Sequence, residues 1–80
     1  MDIVALNEPQ KQILFCECKW QDRVDADKVL ASLRETAAHV LWYKDVRKEF
    51  YAIFTKNFRK KVKGKGIYCF DLRDIEKSLK

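Results

Sequence analysis

Apolar and polar positions change period several times along this 80-residue chain, and each change predicts an element. Asp2-Ile-Val-Ala-Leu6 and Ile13-Leu-Phe-Cys-Glu-Cys-Lys-Trp20 both have strand character. Between them, Asn7-Glu-Pro-Gln-Lys-Gln12 is polar, holds the only proline and reads as a hairpin loop. A hairpin symmetric about Pro9 and Gln10 opposes Leu6 to Ile13, Val4 to Phe15 and Asp2 to Glu17. A slip of one residue would turn Asp2 to the other face.

Trp20 to Asp25 reads as a connection. Asp25 and Asp27 then supply the cap and first-turn acid of a helix. Val29, Leu30, Leu33, Ala37, Val40 and Leu41 recur at helical spacing, so the helix is expected over about 26–42. His39, near its end, takes a surface or cap role. Glu49-Phe-Tyr-Ala-Ile-Phe-Thr55 is aromatic and β-branched and predicts a strand buried on both faces. A loop with Gly64 and Gly66 follows, then a strand over Gly66–Phe70 and a short helix opened by Asp71. The expected class is α/β (α+β): one domain over 1–80, a mixed β-sheet and the order β-β-α-β-β-α.

The second strand carries a carboxylate and an ammonium, Glu17 and Lys19, two positions apart and therefore on one face. Charges on an apolar strand are costly to bury without partners. The pair is either an exposed, solvated couple or a site. The pattern Asp-(x)n-Glu-x-Lys on consecutive antiparallel strands resembles the PD-(D/E)xK, restriction-endonuclease-like superfamily. Asp2-Ile-Val-Ala-Leu-Asn7 followed by Ile13-Leu-Phe-Cys-Glu-Cys-Lys-Trp20 is similar to one branch of it, the C-terminal domain of unknown function in archaeal and bacterial P-loop ATPases. That resemblance implies Asp2 and Glu17 as ligands of Mg²⁺ or Mn²⁺, with the Cys18 carbonyl as a further ligand. It implies Lys19 as the group that orients the attacking water or stabilises developing charge. Such a cation polarises the phosphoryl group and acidifies bound water. The implied activity is metal-dependent hydrolysis of DNA.

Domains of that superfamily usually have a helix and a strand ahead of the first acidic motif. Here Asp2 is the second residue, so the chain reads as an N-terminally truncated restriction-endonuclease-like core, which argues against activity of this chain alone. No Gly-x-x-x-x-Gly-Lys-Ser/Thr run accompanies it, so a phosphate-cradling loop of that kind is excluded. An uncovered sheet face is expected, with Trp42, Tyr43, Phe50 and Phe58 partly lining it. A homo-oligomer or an ATPase partner would cover it.

The formal charge of +5 is uneven. From Lys44 to Lys65 nine basic residues face two acids, Asp45 and Glu49, which gives +7 there and −2 elsewhere. Lys56, Arg59, Lys60, Lys61, Lys63 and Lys65 form the densest stretch and suit the phosphates of DNA, through contact rather than base readout. A solvated hairpin loop whose lysines block edge pairing is the equal alternative. The three cysteines, Cys16, Cys18 and Cys69, read as reduced thiols facing a core helix rather than as metal ligands. No apolar run reaches about 18 residues, so no membrane span is expected, and the lack of a signal peptide favours the cytoplasm. Alternatives to a nuclease are a catalytically inactive nucleic-acid-binding module and an oligomerisation module.

Overall fold

The computed structural model describes residues 3–79. β1 (Ile3–Asn7) and β2 (Gln12–Lys19) form the expected hairpin, with Val4 opposite Phe15 and Leu6 opposite Ile13. Pro9 suits the first central position of its turn. Lys11 closes that turn in the left-handed region at φ 51°, with its N–H donating to Glu8 O at 3.1 Å.

The chain then leaves the sheet through β3 (Val24–Asp25) and α1 (Ala26–Ala38), and returns as β4 (Lys48–Thr55), parallel to β2. β5 (Phe58–Lys60) pairs with β3 in a separate two-stranded ribbon. β6 (Ile67–Phe70) lies parallel to β4, and α2 (Leu72–Ser78) ends the described chain. The main sheet runs β1-β2-β4-β6 and is mixed, as expected. The basic segment after β4 is not a hairpin loop, because β4 and β6 point the same way. It is a crossover that carries β5.

α1 begins where its chemistry predicts. The Asp25 carboxylate accepts the Asp27 N–H at 3.0 Å and so satisfies one of the helix's orphan donors. It ends four residues before the expected boundary, at Ala38, with His39 as the C-cap. The cause is a cap supplied from outside the helix. Arg47 donates to Ala37 O, Val40 O and Trp42 O, and Lys44 Nζ donates to Ala38 O. Val40 still packs on the core, whereas Leu41 is 78 % exposed and leaves the predicted apolar face.

The two sheet faces differ. Ile13 and Phe15 of β2, with Tyr51, Ile53 and Thr55 of β4, are buried beside Val29, Leu30 and Leu33 of α1. Each large apolar side chain buried there contributes about 1.5–3 kcal/mol. Among the described residues, no helix covers the opposite face. Of its β4 residues only Ala52 is buried, while Phe50 and Phe54 are half-buried. The expectation that β4 is buried on both faces therefore holds for one. Aromatic, β-branched sequence fits a half-open pleated surface as well as a closed one.

That open face forms a shallow apolar trough of about 450 Å³ lined by Leu14, Phe50, Phe54, Tyr68 and Phe70. Of the four aromatics expected at an uncovered surface, Phe50 lies in it. Trp42 and Phe58 pack instead on the helix-side core, and Tyr43 sits edge-on to Trp42.

Candidate functional site

Strand alternation sets Glu17 on the α1 side of β2, in line with Ile13 and Phe15. The Glu17 side chain is 14 % exposed and that of Lys19 45 %, and Lys19 Nζ lies 3.8 Å from the carboxylate. The sheet face that is apolar through Ile13 and Phe15 thus turns charged at the C-terminal end of β2. In parallel register Lys19 stands beside Thr55, which is completely buried; its hydroxyl has no hydrogen-bond partner among the described residues.

Lys19 also borders a cleft of about 300 Å³ with Arg23, Asp25, Lys28 and Arg59. Asn57 holds the wall of this cleft. Its side-chain oxygen accepts the Arg23 N–H at 2.5 Å, its carbonyl accepts the Val24 N–H at 3.2 Å, and its amide donates to Asp22 at 2.7 Å.

Asp2 lies outside the described residues. Cys18 falls between Glu17 and Lys19, so its side chain takes the other face of the sheet and only its backbone lies with the pair. Among the described residues, no three His, Cys, Asp or Glu side chains gather as a metal cage. Glu17 contributes one carboxylate and the Cys18 backbone one carbonyl, too few alone for a cation that takes six oxygen ligands.

The basic stretch is divided by its partners. Arg59 pairs with Asp25 at 3.0 Å and Lys60 with Asp27 at 3.7 Å. Lys61 pairs with Asp71 at 3.5 Å and Asp74 at 2.9 Å. Burial works against the Asp25 charge, but the Asp27 N–H and the Arg59 guanidinium outweigh it and hold the carboxyl below the usual range. The Asp71 backbone N–H, seconded by Lys61, holds the Asp74 carboxyl at about 2. Lys61 is correspondingly raised, mainly by its hydrogen bond to Asp74. These pairs are solvated and individually worth little. Lys56, Lys63 and Lys65 have no ion pair among the described residues.

One cluster escaped the sequence reading. The Arg47 side chain has no exposed surface, and it donates twice to Glu49 Oε2, at 2.6 and 2.8 Å. Tyr51 donates its hydroxyl to Glu49 Oε1 at 2.8 Å. Burial, reinforced by the Glu49 carboxylate, pushes the Tyr51 phenol up to about 12. Burial also opposes the Glu49 charge, but the hydrogen bonds from Arg47 and Tyr51 win and keep that carboxyl below its ordinary value. The available signal was the spacing: Arg47, just ahead of β4, and Glu49 and Tyr51 within it alternate and so share one face.

Cys69 lies on the helix side of the sheet and packs against the core, whereas Cys16 and Cys18 do not face the core helix as expected. Cys16 follows Leu14 and pairs with Ala52 on the open face; it is buried, and Cys18, on the same side, is exposed. Cys69 stands on the opposite side, in register with Ile53, and its Sγ lies 3.5 Å from Val62 O. The three thiols are thus split across the sheet and share no metal site. Among the described residues, no helix is long and apolar enough to cross a membrane.

Comparison with known proteins gives two likenesses. Residues 1–35, which contain β1, β2 and most of α1, match the DUF234 family, described as archaeal and bacterial proteins of unknown function. Over 77 residues, 94 % of this chain, the sequence is 36 % identical to the uncharacterised protein MJECL04 of Methanocaldococcus jannaschii. The chain spans 17 % of that relative's length. No solved structure matches it. One likeness is thus to archaeal and bacterial proteins of unknown function and the other to an uncharacterised archaeal protein.

Proposed function

We propose that the domain is nuclease-like, with Glu17 and Lys19 as the described part of a metal-dependent phosphodiester-hydrolysing site and Asp2 as its second carboxylate. The observation that supports this is the half-buried Glu17–Lys19 pair on an otherwise apolar face, at the strand end beside the Arg59 cleft. An ion pair taken partly out of water costs desolvation free energy that an apolar pair would not. Parallel strands commonly bind ligands beyond their carboxyl ends. In this reading Mg²⁺ or Mn²⁺ would polarise the phosphoryl group and supply a nucleophilic hydroxide. Asp2, Glu17 and the Cys18 carbonyl would hold it, Lys19 would steady the developing charge, and Arg59 and Lys28 would draw in the DNA backbone.

Calorimetric titration with Mn²⁺ and cleavage of supercoiled plasmid test the reading. One cation site is expected, lost in Glu17→Ala and Asp2→Ala. Lys19→Ala should retain the cation and lose cleavage. An intact chain that binds no cation refutes the catalytic role.

The open trough favours a second reading, an assembly module in which Phe54, Tyr68 and Phe70 dock on a second copy of the chain. Light scattering after size exclusion checks it. A stable monomer at micromolar concentration counts against it, and the ATPase partner implied by the sequence resemblance would then be the candidate to cover this face.

A further inference from the structure

A cleft of about 590 Å³ lies at the opposite end of β4, between the C-terminal half of α1 and the loop that leads into β6. Its charged lining is Arg34, Lys44, Arg47, Lys65 and the single carboxylate of Glu49. Two of these groups are already committed. Arg47 spends its five N–H donors on Ala37 O, Val40 O, Trp42 O and, twice, Glu49. The Glu49 carboxylate is filled in return by Arg47 and the Tyr51 hydroxyl. The negative end of α1 is likewise capped, by Arg47 on Ala37 O and Lys44 on Ala38 O. Three donors therefore already occupy the Glu49 carboxylate and Arg47 offsets its charge, so Arg34, Lys44 and Lys65 leave the cleft with a net positive lining.

The uncommitted donors all belong to cations. Arg34 lies with its guanidinium 5.7 Å from the centre of the Tyr51 ring and has no ion pair among the described residues. Lys44 keeps two N–H groups after bonding Ala38 O. Lys65 is exposed and is fixed in place by its neighbour. Gly66 adopts φ 78°, and an added Cβ would come within 3.1 Å of Glu49 O, so only glycine lets the loop press this closely on β4. The Gly66 carbonyl accepts the Tyr51 N–H at 2.8 Å, which seats Lys65 over the cleft.

We infer that this cleft is a phosphate-binding site in which Arg34, Lys44 and Lys65 grip the anion while Arg47 neutralises Glu49 and positions the wall. A guanidinium offers a planar two-pronged donor to phosphate, and the lysines add mobile point charge. The phosphate can belong to a nucleic-acid backbone or to a small phosphorylated molecule, because both present the same group. The site stands apart from the candidate pair: at the rise of a strand, Glu49 lies about 13 Å along β4 from the level of Glu17 and about 20 Å from that of Lys19. Of the six basic residues marked in the sequence, only Lys65 belongs to it.

Fluorescence anisotropy with a 5′-labelled 12-nucleotide DNA and calorimetry with pyrophosphate, both in 50 mM salt, test the site on the full chain. The double variant Arg34→Gln/Lys65→Gln changes exposed side chains only and should bind at least one probe about tenfold more weakly, with an unchanged thermal midpoint. Arg73→Gln/Lys77→Gln, two exposed cations of α2, should lose no more than about twofold. Pyrophosphate binding alone identifies a small phosphorylated ligand, and binding of the DNA alone identifies a backbone; each supports the site when the Arg34/Lys65 variant weakens it about tenfold. Glu17→Ala should leave this binding intact, so failure of the hydrolytic reading leaves the result legible. Equal affinity in the Arg34/Lys65 variant, or no binding of either probe by the native chain, overturns the inference.

Discussion

The Arg47 guanidinium approaches the Glu49 carboxylate to 2.6 Å while its side chain exposes no surface to solvent. The same group closes the carbonyl end of α1 and lies 5.6 Å from the centre of the Phe15 ring. One side chain therefore joins helix, strand and core. Arg47→Ala would leave Glu49 without its cation and the end of α1 with only the Lys44 contact on Ala38 O, and breaking such a buried pair costs about 3–5 kcal/mol. Glu49 keeps some solvent access, so the expected loss is at the lower end, about 3 kcal/mol. Urea denaturation followed by circular dichroism should show the midpoint falling. Arg47→Lys should recover part of it, because an ammonium cannot reproduce the five-donor pattern.

Acid should loosen α2 first. The Asp74 carboxyl is held at about 2, so its folded value lies below the ordinary one. A depressed carboxylate contributes stability above its unfolded pKa and loses it as pH falls towards the folded value. The window runs from about pH 4 down to about pH 2. Asp71 and Asp74 form a reciprocal capping box at 2.9 and 3.0 Å. Asp71→Ala should cost about 1 kcal/mol, and α2 amides should exchange faster in that variant at neutral pH. Hydrogen exchange measured at pH 6 and pH 3 checks both expectations.

The two faces of the main sheet should respond unequally to truncation. Ile53 is fully buried between sheet and helix, so Ile53→Ala should cost about 2–5 kcal/mol. Tyr68 stands on the open face at 47 % exposure, and Tyr68→Ser should change stability by no more than about 0.5 kcal/mol. Thermal melts of both variants provide the comparison. A large loss in Tyr68→Ser would mean that another surface covers this face in solution.

The hairpin was legible in the sequence. Its turn chemistry around Pro9 fixed a register that the five described pairs, from Ile3–Cys16 to Asn7–Gln12, follow. The caps at Asp25 and Asp71 were legible too, because a capping carboxylate acts on backbone within a few residues. What failed to show depends on partners far along the chain. The end of α1 is set by Lys44 and Arg47, which lie beyond the helix they stop. The ion pairs of Arg59, Lys60 and Lys61 draw on Asp25, Asp27, Asp71 and Asp74, so a charge run that looked continuous is divided by the fold. The β3–β5 ribbon was invisible because two or three residues carry no period. At the candidate site, strand alternation alone put Glu17 and Lys19 together. It could not foresee the cleft beside them, whose wall is held by Asn57, 34 positions along the chain from Arg23.

The central strand pair has a kinetic consequence. β2 meets β4 in parallel with Gln12 against Lys48, a separation of 36 positions, whereas β1 and β2 meet across a four-residue turn. The hairpin can zip within about 1–10 μs, but β4 must first find its neighbour by closing a much longer loop. Because that closure is paid in chain entropy before any contact rewards it, assembly of this small domain should be paced by the arrival of β4.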